Sequence, residues 1–291
     1  MTRPGPARIG LIGLGEAGGA IASGLAESGV AIVGYDVRAD TPAMRATAER
    51  AGVTLAGSVA ELVAAVDVVM CLTKAAAAVP VARMAAAELS ARHVYADLNS
   101  ASPAVKRGAA AAVEPTGARF ADVAVMAAVP PRRHLVPMLV SGCGAKAFSD
   151  QVSPFGMNAE VLGDRVGQAS AVKMYRSLLI KGIEALVFEC AIGASAEGAL
   201  DRVLESMAGS LPFGDWAELA TYLMGRTVAH GDRRAAELRE VAATLEEAGI
   251  DPSLANAAAA RLEWVAARGL EGQFAGADYQ EILDALHESG A

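Results

Sequence analysis

The sequence predicts an α/β domain built on a doubly wound parallel sheet, a long interdomain helix, and a second domain that is entirely helical. Short apolar runs alternate with helical segments through about residue 162, which is the pattern of parallel strands joined by crossover helices. Residues 163–198 contain no proline and read as one long helix, and residues 200–291 show only helical periodicity. We therefore predict domains over residues 1–162 and 163–291.

Length and composition exclude several classes of protein. The chain has 291 residues and a net charge of −8, which argues against a nucleic-acid partner. Asp67 and Lys74 interrupt the best candidate for a membrane span, and the short, glycine-broken N-terminal run is unlike a signal peptide. Three widely spaced cysteines predict a reduced, cytoplasmic compartment with no disulfide framework and no zinc site. None of the four histidines forms a pair with metal-ligand spacing, so we predict no metal site.

The strands of the predicted sheet are the apolar runs, and the helices lie between them. The predicted strands are 8–15, 30–36, 53–56, 66–72, 93–98, 118–125, 138–141 and 159–162. The predicted helices are 16–28, 41–51, 58–65, 75–91 and one that begins near Pro103. Residues 126–137 read as a loop because Pro130, Pro131 and Pro137 stiffen them.

The junction between the first strand and the first helix carries a glycine pattern. It reads Gly13-Leu14-Gly15-Glu16-Ala17-Gly18, a G-x-G-x-x-G. The first glycine allows a tight turn, the second lets a pyrophosphate approach the backbone, and the third lets helix and strand pack closely. The free N–H groups of the helix N-terminus then face the phosphates. Because a strand precedes the motif and a helix follows it, the motif predicts a Rossmann dinucleotide site.

Asp36 closes the second strand, at the distance from the glycines where an acid accepts hydrogen bonds from an adenosine ribose. This favours NAD over NADP. Arg38 leaves NADP open, since an arginine there can hold a 2′-phosphate. The alternative role of Asp36 is to cap the turn at the end of its strand.

Further candidates follow the fourth and fifth strands, at the edge where doubly wound sheets bind ligands. Leu72 and Thr73 come directly after residues 66–72, and Asn99 and Ser100 come after residues 93–98. We predict that Asn99 and Ser100 contact the nicotinamide-ribose side of the cofactor. Ser102 has a simpler interpretation as the N-cap of the next helix.

The long helix 163–198 is apolar around most of its circumference, which predicts burial in a larger assembly. One stripe is polar, and its members fall within a sector of roughly 80°. They are Ser170, Lys173, Ser177, Lys181 and Glu184. A lysine on such a helix must be paired or used, unless the stripe is simply the solvated face.

The C-terminal domain has predicted breaks at residues 212–214, 249–252 and 269–276. Its longest helix, roughly 215–248, places four polar side chains on one face by their spacing: His230, Arg233, Arg234 and Glu237. That face either is solvated with local ion pairs or lines a cleft.

These motifs together resemble the β-hydroxyacid dehydrogenase family, relatives of 6-phosphogluconate and 3-hydroxyisobutyrate dehydrogenases. Residues 13–18 match the opening fingerprint, and DLNSASP at 97–103 resembles D-x-S-T-x-x-P with Ser100 at the hydroxyl position. Leu72-Thr73 stands at the cofactor-contacting loop. Residues 167–173 resemble the start of G-x-G-x-x-x-K-x-x-N-N, which implies that Lys173 is the catalytic residue.

The chain departs from that family where substrates bind. DVAVMAA at 122–128 aligns with D-A-P-V-S-G-G, so Met126, Ala127 and Ala128 replace Ser-Gly-Gly and imply a different substrate. Arg176 and Ser177 replace the paired asparagines, and Ala236 and Glu237 replace a later Lys-Asp pair. Ser177 and Lys181 are our remaining substrate candidates. The chain looks most like a little-characterised branch with a distinct C-terminal domain.

The resemblance implies a nicotinamide-dependent hydride transfer on a small hydroxy acid or its oxo form, with Lys173 as general acid or base. It also implies a homodimer whose helical domains interlock.

Two alternative functions remain open. One is imine reduction in an apolar pocket of Met126, Ala127, Met174 and Trp216, against which Lys173 argues. The other is a cofactor-sensing protein without catalysis. The charges of Arg132, Arg133 and His134 either bind an anion at the cleft mouth or are solvated loop charges.

Overall fold

The computed structural model describes residues 8–208, 215–273 and 278–289, with the backbone alone at residues 189 and 208. Two compact units divide the chain after Lys173. The described part of the first unit contains a sheet with helices on both faces, and that of the second is helical. The predicted fold class is confirmed. No helix in the described ranges combines the length and the apolar character needed to cross a membrane.

One eight-stranded sheet forms the centre of the first unit. Its strands are β1 (Ile9–Ile12), β2 (Ile32–Tyr35), β3 (Val53–Leu55), β4 (Val68–Cys71), β5 (Val94–Asp97), β6 (Arg119–Val125), β7 (Met138–Ser141) and β8 (Ala159–Gly163). Their order in the sheet is β3-β2-β1-β4-β5-β6-β7-β8. The chain reverses its direction of winding between β1 and β4, so the crevice for a ligand opens at the carboxyl ends of those two strands.

Helices cover both faces of this sheet because the strands are apolar on both sides. They are α1 (Glu16–Glu27), α2 (Pro42–Arg50), α3 (Val59–Ala65), α4 (Ala78–Ala86), α5 (Pro103–Val113) and α6 (Ala145–Val152). Helices α1, α2 and α6 contribute to the core on one face, while α3, α4 and α5 contribute to the core on the other. Buried strands with helices on both sides are the expected form of a parallel sheet.

Several elements of the first unit differ from the sequence prediction. Strand β7 runs antiparallel to β6, because residues 126–137 return the chain without a crossover helix. Helix α6 then carries the chain to β8, which pairs parallel with β7; no helix is predicted there from the sequence. The predicted helix 75–91 is shorter, since residues 75–77 form a 3₁₀ turn and α4 ends at Ala86.

The long helix, α7 (Gln168–Ala196), begins five residues later than predicted. Gly163 belongs to β8, and Gly167 has a φ of 98°, a left-handed conformation that cannot continue a right-handed helix. Four apolar side chains of α7 are exposed on the single chain: Val172, Tyr175, Leu179 and Leu186.

The other helices of the second unit are α8 (Leu200–Ala208), α9 (Trp216–Glu247), α10 (Ser253–Ala266) and α11 (Tyr279–Glu288). The predicted break at 249–252 is confirmed between α9 and α10. The predicted break at 212–214 lies outside the described residues, as does the end of the predicted break at 269–276. Helix α9 kinks at His230, whose φ of −145° and ψ of 23° are not helical.

Candidate functional site

The glycine motif forms the turn between β1 and α1, and two of its glycines are required by close packing. Gly13 has a φ of 95°, and a Cβ there would lie 2.2 Å from the Leu72 carbonyl oxygen. A Cβ on Gly18 would lie 2.0 Å from the Gly13 carbonyl oxygen. A Cβ on Gly15 would instead meet no protein atom within 4 Å. Gly15 therefore borders open space at the N-terminus of α1, where a pyrophosphate is expected to lie.

A cavity of about 680 Å³ lies beside this turn and reaches the loop that follows β2. Its lining residues are Leu14, Gly15, Glu16, Gly19, Ala20, Arg38, Thr41, Ala43, Met44 and Thr47. The cavity thus joins the start of α1 to the start of α2. Glu16 and Ala17, both predicted cofactor residues, lie in the first turn of α1. This cavity is large enough for the adenosine half of a dinucleotide.

Asp36 lies at the end of β2 and is 7% exposed. Its Oδ2 accepts a hydrogen bond from the Leu14 N–H at 3.0 Å, and its Oδ1 accepts from the backbone N–H and Nε of Arg38 at 3.0 and 3.1 Å. Burial alone would raise the pKa of Asp36, but these hydrogen bonds outweigh it and lower the pKa from its ordinary value. The turn-capping role of Asp36 is therefore observed, and the carboxylate is held ionised beside the cavity.

The loops after β4 and β5 are joined by one side chain. Asn99 Oδ1 accepts hydrogen bonds from the Thr73 backbone N–H and hydroxyl, so it fixes the loop that begins at Leu72. Ser100 Oγ is buried and has no hydrogen-bond partner among the described residues. A buried hydroxyl without a partner is uncommon and marks a place where a ligand can supply one. Both predicted positions thus lie at the carboxyl edge of the sheet.

The polar stripe of α7 is buried, so the interpretation of it as a solvated face is wrong. Ser170, Ser177, Lys181 and Glu184 are all less than 9% exposed, and Lys173 is half-buried. Lys181 Nζ lies 2.8 Å from Glu237 Oε2, and Glu184 forms an ion pair with Arg234. The costly buried lysine is thus paired within the helical unit.

The four polar residues of α9 differ in exposure. His230 and Arg233 are exposed, Glu237 is half-buried and Arg234 is buried. Met174 and Trp216 are also buried, in two separate apolar clusters of the helical unit. The apolar pocket of Met126, Ala127, Met174 and Trp216 stays a prediction.

The two roles predicted for the loop 126–137 belong to its two ends, with substrate binding at residues 126–128 and anion binding at residues 132–134. Ala127 and Ala128 are exposed directly after β6, and Met126 is half-buried. Arg133 forms an ion pair with Glu27 in the last turn of α1, at the opposite end of that helix from the glycine motif. His134 is buried against the same helix, and burial together with the Arg133 charge lowers its pKa from the ordinary value. These contacts favour loop packing over anion binding for Arg133 and His134.

A mostly parallel sheet whose winding reverses at a glycine turn, with open space beside Gly15 at a helix N-terminus, is the arrangement of a dinucleotide-binding domain. Residues 8–155 match the family model of the NAD binding domain of 6-phosphogluconate dehydrogenase. The chain belongs to this family. Residues 194–265 match a second model, a domain of unknown function (DUF1932).

Solved structures agree with this assignment. A conserved hypothetical protein from Sinorhizobium meliloti is 37% identical, with 97% of this chain and 96% of that chain covered and a TM-score of 0.81. A conserved protein of unknown function, described as similar to 3-hydroxyacid dehydrogenases, is 29% identical over 98% of this chain and 100% of that chain, with a TM-score of 0.75. The 3-hydroxyisobutyrate dehydrogenase of Mycobacterium tuberculosis shares the fold at 18% identity, with 97% and 99% of the chains covered and a TM-score of 0.76.

Proposed function

We propose that this protein transfers a hydride between a nicotinamide cofactor and a small hydroxy acid or its oxo form, with Lys173 as the general acid or base. The observation that carries the proposal is the placement of Lys173. It is half-buried on the second turn of α7, and the first turn of that helix is hydrogen-bonded to β6 and β7 of the dinucleotide-binding unit. A lysine in this setting is the expected proton donor or acceptor for a hydroxyl or oxo group.

The residues present fit a nicotinamide dinucleotide. The space beside Gly15 admits a pyrophosphate, and the unpartnered hydroxyl of Ser100 offers a donor and an acceptor near the predicted ribose. Asn99 holds the Thr73 loop in place. The cofactor would supply or accept the hydride, while Lys173 would move the proton of the substrate oxygen.

The proposal names a class of substrate, small hydroxy acids or their oxo forms, and not a particular compound. Met126, Ala127 and Ala128 lack the hydroxyl and the two glycines with which related proteins would bind a carboxylate, so we expect a substrate held differently. Ser177 and Lys181 stay our candidates for that role. Because Lys181 is paired with Glu237, a substrate carboxylate would have to compete with that carboxylate for the ammonium group.

The test is a screen of hydroxy acids with oxidised cofactor, and of oxo acids with reduced cofactor, followed by nicotinamide absorbance. Turnover of at least one compound is the expected result. Oxo acids in the presence of amines form a separate arm. Turnover only in that arm would contradict the hydroxy-acid proposal and favour reduction of a carbon–nitrogen double bond. Cofactor binding with no turnover of any compound would favour a cofactor-sensing protein.

We expect NADH to bind more tightly than NADPH. The carboxylate of Asp36 accepts three hydrogen bonds from the protein and keeps about one acceptor direction for a ribose hydroxyl. Its charge would also repel a 2′-phosphate. Asp36→Asn should therefore weaken NADH binding roughly tenfold and reduce the preference, by about 1.4 kcal/mol. Titrations that follow nicotinamide fluorescence measure both cofactors.

Arg38→Ala is the matched variant for this prediction. Its guanidinium pairs with Asp36 but its side chain is 60% exposed in the cavity. We expect NADH binding in Arg38→Ala to stay within about twofold of the unmodified protein, since a surface ion pair contributes little. Tighter binding of NADPH than of NADH, lost on Arg38→Ala, would instead assign the cavity to a 2′-phosphate.

We also propose that α7 mediates a homodimer. Tyr175, Leu179 and Leu186 are 41%, 65% and 61% exposed, and their spacing places them on one face of the helix with Gly182 between them. An exposed apolar stripe on a long helix is typical of a helix–helix interface. A second copy of the same stripe would be complementary to it.

The double variant Leu179→Glu/Leu186→Glu should therefore shift the protein from dimer to monomer, measured by sedimentation or light scattering. Two buried charges per subunit are incompatible with such an interface. Leu254→Glu is the control, because Leu254 is 59% exposed on α10 and lies outside the stripe. A monomeric unmodified protein, or a double variant that stays dimeric, would contradict the proposal.

A further inference from the structure

Three ionisable side chains of the dinucleotide-binding unit are completely buried together. Asp97 on β5 and Asp122 on β6 are direct neighbours in the register of the two strands, and Lys106 on α5 lies against both. Lys106 Nζ donates to the Asp97 carbonyl oxygen at 2.6 Å and to Asp97 Oδ1 at 3.1 Å, and it is 3.6 Å from Asp122 Oδ1. Lys106 belongs to none of the sequence motifs that predict the cofactor and substrate sites.

A cluster of this kind is poor evidence for stability, since apolar side chains of similar volume often stabilise a core as well. Buried charges are better explained where they hold specific groups in place. Two adjacent carboxylates repel each other, and one ammonium compensates only one of them. The second compensation must come from elsewhere.

The N-terminus of α7 supplies that second compensation. Asp122 Oδ2 accepts hydrogen bonds from the Gly167 N–H at 3.0 Å, the Ser170 N–H at 3.2 Å and the Ser170 hydroxyl at 3.0 Å. Ser141 Oγ accepts from the Ala169 N–H at 3.0 Å and donates to the same Asp122 oxygen at 3.3 Å. Gly167 has no side chain to cap its own helix, so two sheet residues satisfy these N–H groups.

The other end of the cluster is hydrogen-bonded to the loops after β4 and β5. Asp97 Oδ1 also accepts from the Asn99 N–H at 2.9 Å and from Asn99 Nδ2 at 2.7 Å. Asn99 in turn holds the Thr73 backbone. A continuous set of hydrogen bonds and ion pairs therefore runs from the loop after β4, through Asp97, Lys106 and Asp122, to the first turn of α7.

We propose that Asp97, Lys106 and Asp122 are positioning residues that set the place of Lys173 relative to the loops after β4 and β5. Ser170 is the last member of the set and lies one turn before Lys173. A small displacement of a catalytic group lowers the rate strongly, about 10²-fold for 1 Å. This inference rests on the proposed role of Lys173 in the reaction, but its effect on the lysine itself can be measured without a substrate.

The test uses Ser170→Ala and Asp122→Asn, with Ser149→Ala as the control. Ser149 Oγ donates one hydrogen bond to the Ala159 carbonyl oxygen at 2.8 Å, outside the cluster, so its loss matches the chemical change in Ser170→Ala. The first measurement is the rate at which an amine-acylating reagent labels Lys173, determined by mass spectrometry relative to the exposed Lys146. We expect a change of about threefold or more in Ser170→Ala and Asp122→Asn, and none in the control.

The second measurement is a double-mutant cycle. Ser170→Ala should lower kcat roughly tenfold with KM for the cofactor unchanged, and it should have no effect in a Lys173→Ala background. Thermal unfolding identifies variants that do not fold. If Asp122→Asn does not fold, the labelling rate and kcat of Ser170→Ala still test the inference. Labelling of Lys173 at the unmodified rate in the folded variants would overturn the inference. A Lys173→Ala variant with full turnover would contradict the proposed function while the labelling result still stood.

Discussion

Lys173→Ala should lower turnover by roughly 10²–10⁴-fold while the affinity for reduced cofactor stays within about twofold, because positioned proton transfer contributes that much and the lysine takes no part in holding the pyrophosphate. The loss should appear in kcat and in kcat/KM alike, since the proton moves only in the transition state. Steady-state rates with the best substrate of the hydroxy-acid screen measure the first effect. Fluorescence titration measures the second.

Lys146→Ala is the control for a change in charge alone. Lys146 lies on α6, its side chain is 81% exposed, and it pairs only at the surface with Asp150. We expect its rate to match that of the unmodified protein. If Lys173→Ala retained full turnover, the assignment of the general acid would be wrong, and another donor at the carboxyl edge of the sheet would have to replace it.

Gly15→Ala should separate cofactor binding from folding. The new Cβ would meet no protein atom within 4 Å, and Gly15 has a φ of −67° that alanine adopts without strain. Only the weaker helix capping of alanine should lower the free energy of unfolding, by about 1 kcal/mol. The methyl group would, however, occupy the space where the pyrophosphate approaches the backbone. We expect dinucleotide affinity to fall roughly 10- to 100-fold, as overpacking of this size costs about 1–3 kcal/mol.

Two other glycines complete this experiment. Gly18→Ala should lower both stability and binding, since its Cβ would lie 2.0 Å from a backbone oxygen that cannot move aside. Gly225→Ala on α9, where a Cβ also meets nothing within 4 Å, should change neither cofactor binding nor folding adversely. Unaltered affinity in Gly15→Ala would remove the glycine turn from the proposed cofactor site.

Much of the site follows from local sequence because its signals are local. The G-x-G-x-x-G turn, the acid at the end of β2 and the residues after β4 and β5 are each short motifs attached to a strand end. The parallel sheet then brings those ends to one edge. For the same reason the helical periodicity of residues 215–248 predicts α9 almost to its bounds.

The antiparallel β7 and the late start of α7 were not predictable in the same way. A helix start at residue 168 depends on the left-handed Gly167 and on capping by Asp122, which is 45 residues away along the chain. Propensity alone favours helix from residue 163, and only tertiary hydrogen bonding overrides it. The kink at His230 is a further departure from the regular helix that the periodicity of residues 215–248 predicts.

The sequence by itself determined the class of fold and the dinucleotide turn, because each depends on residue type and spacing along a few neighbouring residues. Lys173 became the candidate catalytic lysine only through the resemblance to the β-hydroxyacid dehydrogenase family. The tertiary structure alone decided which charges are partners. It paired Lys181 with Glu237 and Glu184 with Arg234, and it enclosed Lys106 between Asp97 and Asp122. Such pairs join distant parts of the chain, and burial makes them obligatory, since a lone charge in a protein core is too costly to persist.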